Sequence, residues 1–137
     1  MNWYILVSTI AGEFRALADL QSRKFDAYLP LQTRIRTIRG QKRPYDSPLL
    51  PRYLFVCVDD ADSLGEVRSL ATVQEVLPHE HAPIPIPAHE IDSWKRRQEA
   101  GEFRFRETVT GRKKHRKILR AFQELVVLRE KVYVDAS

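Results

Sequence analysis

Residues 53–58, Tyr-Leu-Phe-Val-Cys-Val, are apolar at every position and follow closely on Pro48 and Pro51. Side chains of an extended strand alternate between its two sides, so Tyr53, Phe55 and Cys57 share one face and Leu54, Val56 and Val58 the other. A strand that is apolar on both faces needs cover on both. It is either central in a layered fold or lends one face to a partner. Which face belongs to the core stays open at this level.

The rest of the chain supplies the layers. Residues 3–9, rich in aromatic and β-branched side chains, read as a strand closed by Ala11 and Gly12. In 13–25, Phe14, Leu17, Leu20 and Phe25 recur at roughly helical spacing with Arg15, Asp19, Arg23 and Lys24 between them, which predicts an amphipathic helix of about three turns. Residues 26–39 read as a strand broken by Pro30. Its later part is a ribbon that turns at Gly40-Gln41 and sends Arg34, Arg36 and Arg39 to solvent. The returning arm, 42–51, holds three prolines, which predicts an edge strand or irregular segment. After the strand at 53–58, Ser63 is placed to cap a short helix, 72–78 forms a further strand, and the prolines at 83, 85 and 87 impose an extended loop. A helix follows to Gly101, with Ile91 and Trp94 on one face. The last thirty residues mix patterns: Ile118, Phe122, Leu125 and Val126 have helical spacing, and a helix to about residue 125 with a short strand after it is expected. This order predicts an α+β fold, an antiparallel sheet flanked by helices, over residues 1–101, with a basic helical or extended tail at 102–137.

With 43% hydrophobic and 30% charged residues, a real core is possible and global disorder is excluded. The net charge of +5 is unevenly placed: residues 95–120 hold eleven Lys or Arg against Glu99, Glu102 and Glu107, a net of +8, and the remainder is net −3. Such asymmetry points to nucleic acid or another polyanion, with a solvated basic helix as the plain alternative. No stretch approaches the apolar length of a membrane span, no signal peptide is expected at the N-terminus, and the single cysteine, Cys57, reads as a small buried apolar residue in a reducing cytoplasm.

Catalytic signatures are missing. His79 and His81 form an H-x-H in a loop without a third ligand nearby, and Asp59, Asp60 and Asp62 lack the central glycine and distal glutamate of a calcium loop. No phosphate-cradling glycine loop or nucleophile elbow occurs. No enzyme, metal or cofactor is expected.

Taken in order, W-Y-I-L-V-S-T (3–9), the helix at 13–25, R-G at 39–40, P-L-L-P-R-Y-L-F-V-C-V-D (48–59), V-R-S-L-A-T-V-Q-E-V-L (67–77) and P-I-P-I-P-A-H-E-I (83–91) resemble the N-terminal domain of the NusG and RfaH family of transcription elongation factors over about residues 2–95. The resemblance implies an α+β domain whose hydrophobic depression docks on the clamp helices of the largest subunit of RNA polymerase, contacts non-template DNA and suppresses pausing. By position, Leu50, Tyr53, Phe55, Ile91 and Trp94 would line that depression, so that Tyr53 and Phe55 face a partner and Leu54, Val56 and Val58 the core. An aromatic patch in polar surroundings has the makeup of an interface hot spot; the alternative is that both rings are core beneath the last helix. For nucleic acid, Arg15, Arg23, Lys24 and Arg68 are the matching candidates.

Two departures stand out. The family commonly has a basic residue and a glycine before the valine matching Val73, where this chain has Ala71 and Thr72. Nothing after Gly101 resembles the family's C-terminal β-barrel, so bridging to a ribosome or termination factor is not expected. The basic run Arg112, Lys113, Lys114, Arg116 and Lys117 stands there instead, read as a contact to DNA, nascent RNA or polymerase in preference to a helical lid over Tyr53 and Phe55. The resulting expectation is a monomeric elongation or antitermination factor of a bacterial, phage or mobile-element setting. The rivals are a stand-alone RNA- or DNA-binding module using Arg34, Arg36 and Arg39 with the tail, and a metal-dependent nuclease using the Asp59 cluster.

Overall fold

The computed structural model describes residues 2–77, 85–106 and 108–135, the side chains of 61 and 125–135 excepted. Strand β1 (Asn2–Ser8) is followed by helix α1 (Glu13–Ser22), β2 (Asp26–Tyr28), β3 (Leu31–Ile38), β4 (Gln41–Pro48) and β5 (Tyr53–Val58). A 3-10 turn (Ala61–Ser63) leads into α2 (Leu64–Arg68), then β6 (Val73–Val76), α3 (Ala88–Glu99), β7 (Arg104–Phe105) and α4 (Val109–Asp135). The protein is an α+β domain with two sheets, an antiparallel one ordered β2-β5-β1-β6 and a smaller one ordered β4-β3-β7.

Pro30 divides the strand read over 26–39. It ends β2, and β3 leaves for the second sheet, where it pairs with β4 along its whole length from Leu31↔Pro48 to Ile38↔Gln41. The hairpin turns on Arg39 and Gly40, one residue earlier than read, because both adopt the positive φ (51° and 78°) that matches the twist of a two-residue connection. β4 is a regular strand despite its prolines, and it lies at the sheet edge, where a missing N–H costs least.

β5 is central in the larger sheet, paired with β1 through Leu6↔Leu54 and with β2 through Tyr28↔Phe55. Its two faces enter two separate cores. Leu54, Val56 and Val58 pack with Tyr4, Leu6, Leu20, Leu64 and Val67 under α1 and α2. Phe55 and Cys57 pack with Trp3, Ile5, Trp94, Phe103 and Phe122 under α3 and α4. Just before β5, Arg52 sits at φ +76°, a conformation unfavourable for an L residue by roughly 1–2 kcal/mol. Three hydrogen bonds hold it there: its N–H donates to Glu13 Oε1 (3.1 Å), its Nε to the Ser8 carbonyl (3.1 Å), and its guanidinium to Gln74.

Several local expectations need correction. Phe14 is half exposed, whereas Leu20 is buried and Leu17 and Phe25 partly buried as the spacing predicts; Glu13 and Ala16 join them in contact with the sheet. Ser63 does not cap α2; Asp60 Oδ1 accepts both the Ser63 N–H (3.0 Å) and its hydroxyl (3.1 Å), which spends that carboxylate on the turn. The strand expected after residue 125 is helix to Asp135, so the β-branched run there does not override continuation of α4. His79, His81 and most of the proline loop lie outside the described residues; at its far end Ile86 makes an antiparallel bridge to Trp3.

Candidate docking surface and nucleic-acid interface

The five positions expected to line the depression lie together in the structure. Leu50, Phe55, Ile91 and Trp94 are all buried in one cluster, and Tyr53 packs against it half-buried. α3 is tied down on it through Gln98, whose Oε1 accepts the Tyr28 hydroxyl (2.7 Å) and the Leu31 N–H (3.2 Å). Burial, and secondarily Glu99, push the Tyr28 phenol well above its usual range, so it stays a donor. Lys95 lies over Trp3 (4.6 Å) and Arg97 over Trp94 (4.6 Å), so cations of α3 cover aromatic rings of β1 and of α3 itself.

The depression is not open, which corrects the expectation of rings facing outward. α4 lies across it. Phe122 stacks on Trp94 with ring centroids 3.9 Å apart and approaches Phe55 (6.4 Å) and Phe103 (5.9 Å). Ile118 inserts one turn earlier, and Phe55, Phe103 and Phe122 are 1% exposed or less. The tail read as a polymerase or nucleic-acid contact therefore has two faces: Ile118 and Phe122 point in, while Arg112, Lys113, Lys114, Arg116 and Lys117 are all exposed.

The start of α4 is built for close approach. Thr108 Oγ1 accepts the Gly111 N–H (3.0 Å) and its carbonyl accepts the Arg112 N–H (2.9 Å), an N-cap at the first turn. A Cβ on Gly111 would lie 2.1 Å from the Arg106 carbonyl oxygen, so only glycine lets the helix pass β7 at this distance. Next along α4, His115 packs on Phe105 (4.5 Å). Burial, and then Arg34, hold its imidazole below the ordinary value of 6.5. A histidine kept neutral in the docked state gives its full contribution above that value and loses it as pH falls. Amide hydrogen exchange in α4 is therefore expected to accelerate as pH is lowered from 7 through 6, beyond the intrinsic pH dependence of exchange, and His115→Phe is expected to abolish that excess. An unchanged excess in the variant would exclude the histidine as its source.

The remaining nucleic-acid candidates divide. Arg15, Arg23, Lys24 and Arg68 are exposed on α1, its C-terminal turn and α2, on the opposite side of the larger sheet from α4. Arg23 is paired to Glu66 at 3.5 Å across exposed surface, a contact of little energetic weight. Before Val73, Thr72 donates its hydroxyl to Asp19 (2.7 Å) and accepts the Thr9 N–H (3.0 Å), so this loop is bound to its own chain. Among the described residues no cluster could hold a metal ion, and no helix is long and apolar enough to cross a membrane. Sequence reasoning missed Phe103 and Phe105, whose alternation about Arg104 was the available signal of a strand with one buried face.

The family model of NusG, described as transcription termination factor nusG, matches residues 1–95. The chain belongs to the NusG family. Among solved structures, it is similar to a Thermotoga maritima NusG described under domain interaction, at 20% identity and a TM-score of 0.43 over 66% of this chain. The matched region spans about half (52%) of that protein. No curated protein matches. The matched span carries Leu50, Tyr53, Phe55, Ile91 and Trp94, whereas Phe103, Phe105 and all of α4 lie beyond it.

Proposed function

We propose that this NusG-family chain docks on the clamp helices of RNA polymerase through the aromatic depression, after α4 has moved off it, and suppresses pausing. One observation carries this reading: the depression is occupied by a helix, through Ile118 and Phe122 one turn apart. A surface that accepts one amphipathic helix by i, i+4 anchors has the shape and chemistry to accept another. Tyr53, Phe55 and Trp94 then act as the anchors for the clamp hairpin, with Leu50 and Ile91 beneath them. Holding the clamp closed disfavours the paused state by differential binding to two polymerase conformations.

Arg15, Arg23, Lys24 and Arg68 would face non-template DNA from the other side of the sheet, holding it by backbone charge. The deciding experiment is elongation by core polymerase through a defined pause, with and without the full chain. Shortened pause dwell that Trp94→Ala removes supports the reading. Unchanged dwell, together with no polymerase retained in a pull-down even when α4 is released, excludes it.

A further inference from the structure

A second surface lies away from the aromatic depression. The β3–β4 hairpin carries Arg34, Arg36, Arg39, Lys42 and Arg43 against one carboxylate, Asp46, and that carboxylate already accepts the Thr33 hydroxyl (2.5 Å). Where the hairpin meets the segment between β7 and α4, a surface cleft of about 660 Å³ opens. Arg36, Lys42 and Arg106 line it with the hydroxyl-bearing Thr37, Tyr45 and Thr108, and among the described residues no acidic side chain is in its wall. Among the described residues none of the three cations makes an ion pair. The Arg36 guanidinium lies over the Tyr45 ring, 4.3 Å from its centroid, so a cation is held against an aromatic ring at the cleft. Along the same hairpin, Thr33 and Arg104 line a smaller depression that also reaches Arg106.

Three cations with hydroxyl donors suit a phosphodiester backbone, and an arginine held against a tyrosine ring suits a stacked base. We propose that this cleft binds single-stranded nucleic acid, by charge along the backbone and by base stacking on the Arg36–Tyr45 pair. Arg106 and Thr108 lie beyond the NusG-matched span, so one wall of the cleft comes from outside the matched region while Arg36, Lys42 and Tyr45 lie within it. It does not rest on docking to the polymerase clamp.

The test uses the full chain and a fluorescein-labelled mixed-sequence 12-mer as single-stranded DNA, as single-stranded RNA and as duplex DNA, titrated from 50 to 200 mM salt. The triple variant Arg36→Gln, Lys42→Gln, Arg106→Gln is expected to weaken single-strand binding about tenfold, and to lower the salt slope by about 2, near 0.7 for each phosphate no longer neutralised. Removing the same charge at Arg15, Arg23 and Lys24 is expected to change binding less than threefold. Binding by either single strand supports the site, and the DNA and RNA arms identify its source. Equal weakening by the two triple variants, tighter binding of duplex, or equal competition by polyglutamate would overturn it. Ultraviolet cross-linking of wild-type protein to a 4-thiouridine 12-mer gives a readout independent of variant folding. Adducts within residues 36–45, at Arg106 or at Thr108 support the cleft, and adducts confined to α1 or to 112–117 refute it.

Discussion

Phe122→Asp is expected to raise the affinity of this chain for core RNA polymerase about 30-fold. α4 is held on the depression chiefly by two fully buried side chains, Ile118 and Phe122, with Leu119 and Ala121 partly buried beside them. Each full burial contributes about 1.5–3 kcal/mol. Ordering the backbone and side chains of the docked turns takes back a comparable amount, about 1–2 kcal/mol for each backbone residue fixed. A net bias of about 2 kcal/mol toward the covered state leaves roughly 3% of molecules open, and lifting the cover restores that factor to the measured affinity. Aspartate at position 122 cannot remain against Trp94 and Phe55 without desolvating a charge. Gly111→Ala is expected to act in the same direction from a different place, since its Cβ meets the Arg106 carbonyl rather than the depression. Trp94→Ala added to Phe122→Asp is expected to remove the gain, as truncation of a central aromatic anchor costs about 2 kcal/mol or more. Biolayer interferometry with immobilised core polymerase reads all three. If hydrogen exchange shows α4 released in both opening variants and polymerase affinity does not move, the depression is core and nothing else.

Leu54→Ala is expected to lower stability by about 2–5 kcal/mol and the melting temperature by roughly 10 °C or more, the range for emptying a well-packed leucine site in a domain of this size. Leu54 is 0% exposed and lies on the face of β5 that α1 and α2 cover, among Leu6, Leu20 and Val67. It is one residue from Phe55, yet the two positions answer to different forces. The Leu54 face has no alternative occupant, so its disruption is global. On the proposed function the Phe55 face would exchange one helix for another, so removal of its cover is expected to be local. Calorimetry of Leu54→Ala beside Phe122→Asp separates the two: a large drop with unchanged α4 exchange in the first, a small drop with fast α4 exchange in the second. Similar melting shifts in both would mean that the two cores unfold as one and that α4 is no separable cover.

The charge pattern takes on meaning from the same division. The basic run at 112–117 occupies the outward face of a helix whose inward face is Ile118 and Phe122. Movement of α4 would therefore carry that run away from the hairpin arginines. On the two proposed readings, nucleic-acid affinity and access to the aromatic depression would be connected through one element, where His115 packs on Phe105 and feels Arg34.

Alternation and spacing along the chain were enough to find β1, β5, β6, α1 and α3, to separate the two faces of β5, and to place Ile91 and Trp94 together. These are local properties: period 2 for a strand and period 3.6 for a helix are written in neighbouring residues. The family pattern over 3–91 was readable for the same reason, as an ordered set of such elements. What covers Tyr53 and Phe55 was not readable, because two apolar faces look alike in sequence whether the partner is Phe122, far downstream of Phe55, or another protein. Nor could the pattern show that Pro30 moves the chain into a second sheet, or that Arg36, Lys42 and Arg106 meet at one cleft. Those outcomes depend on long-range contacts, whose energies arise only when the chain is closed on itself.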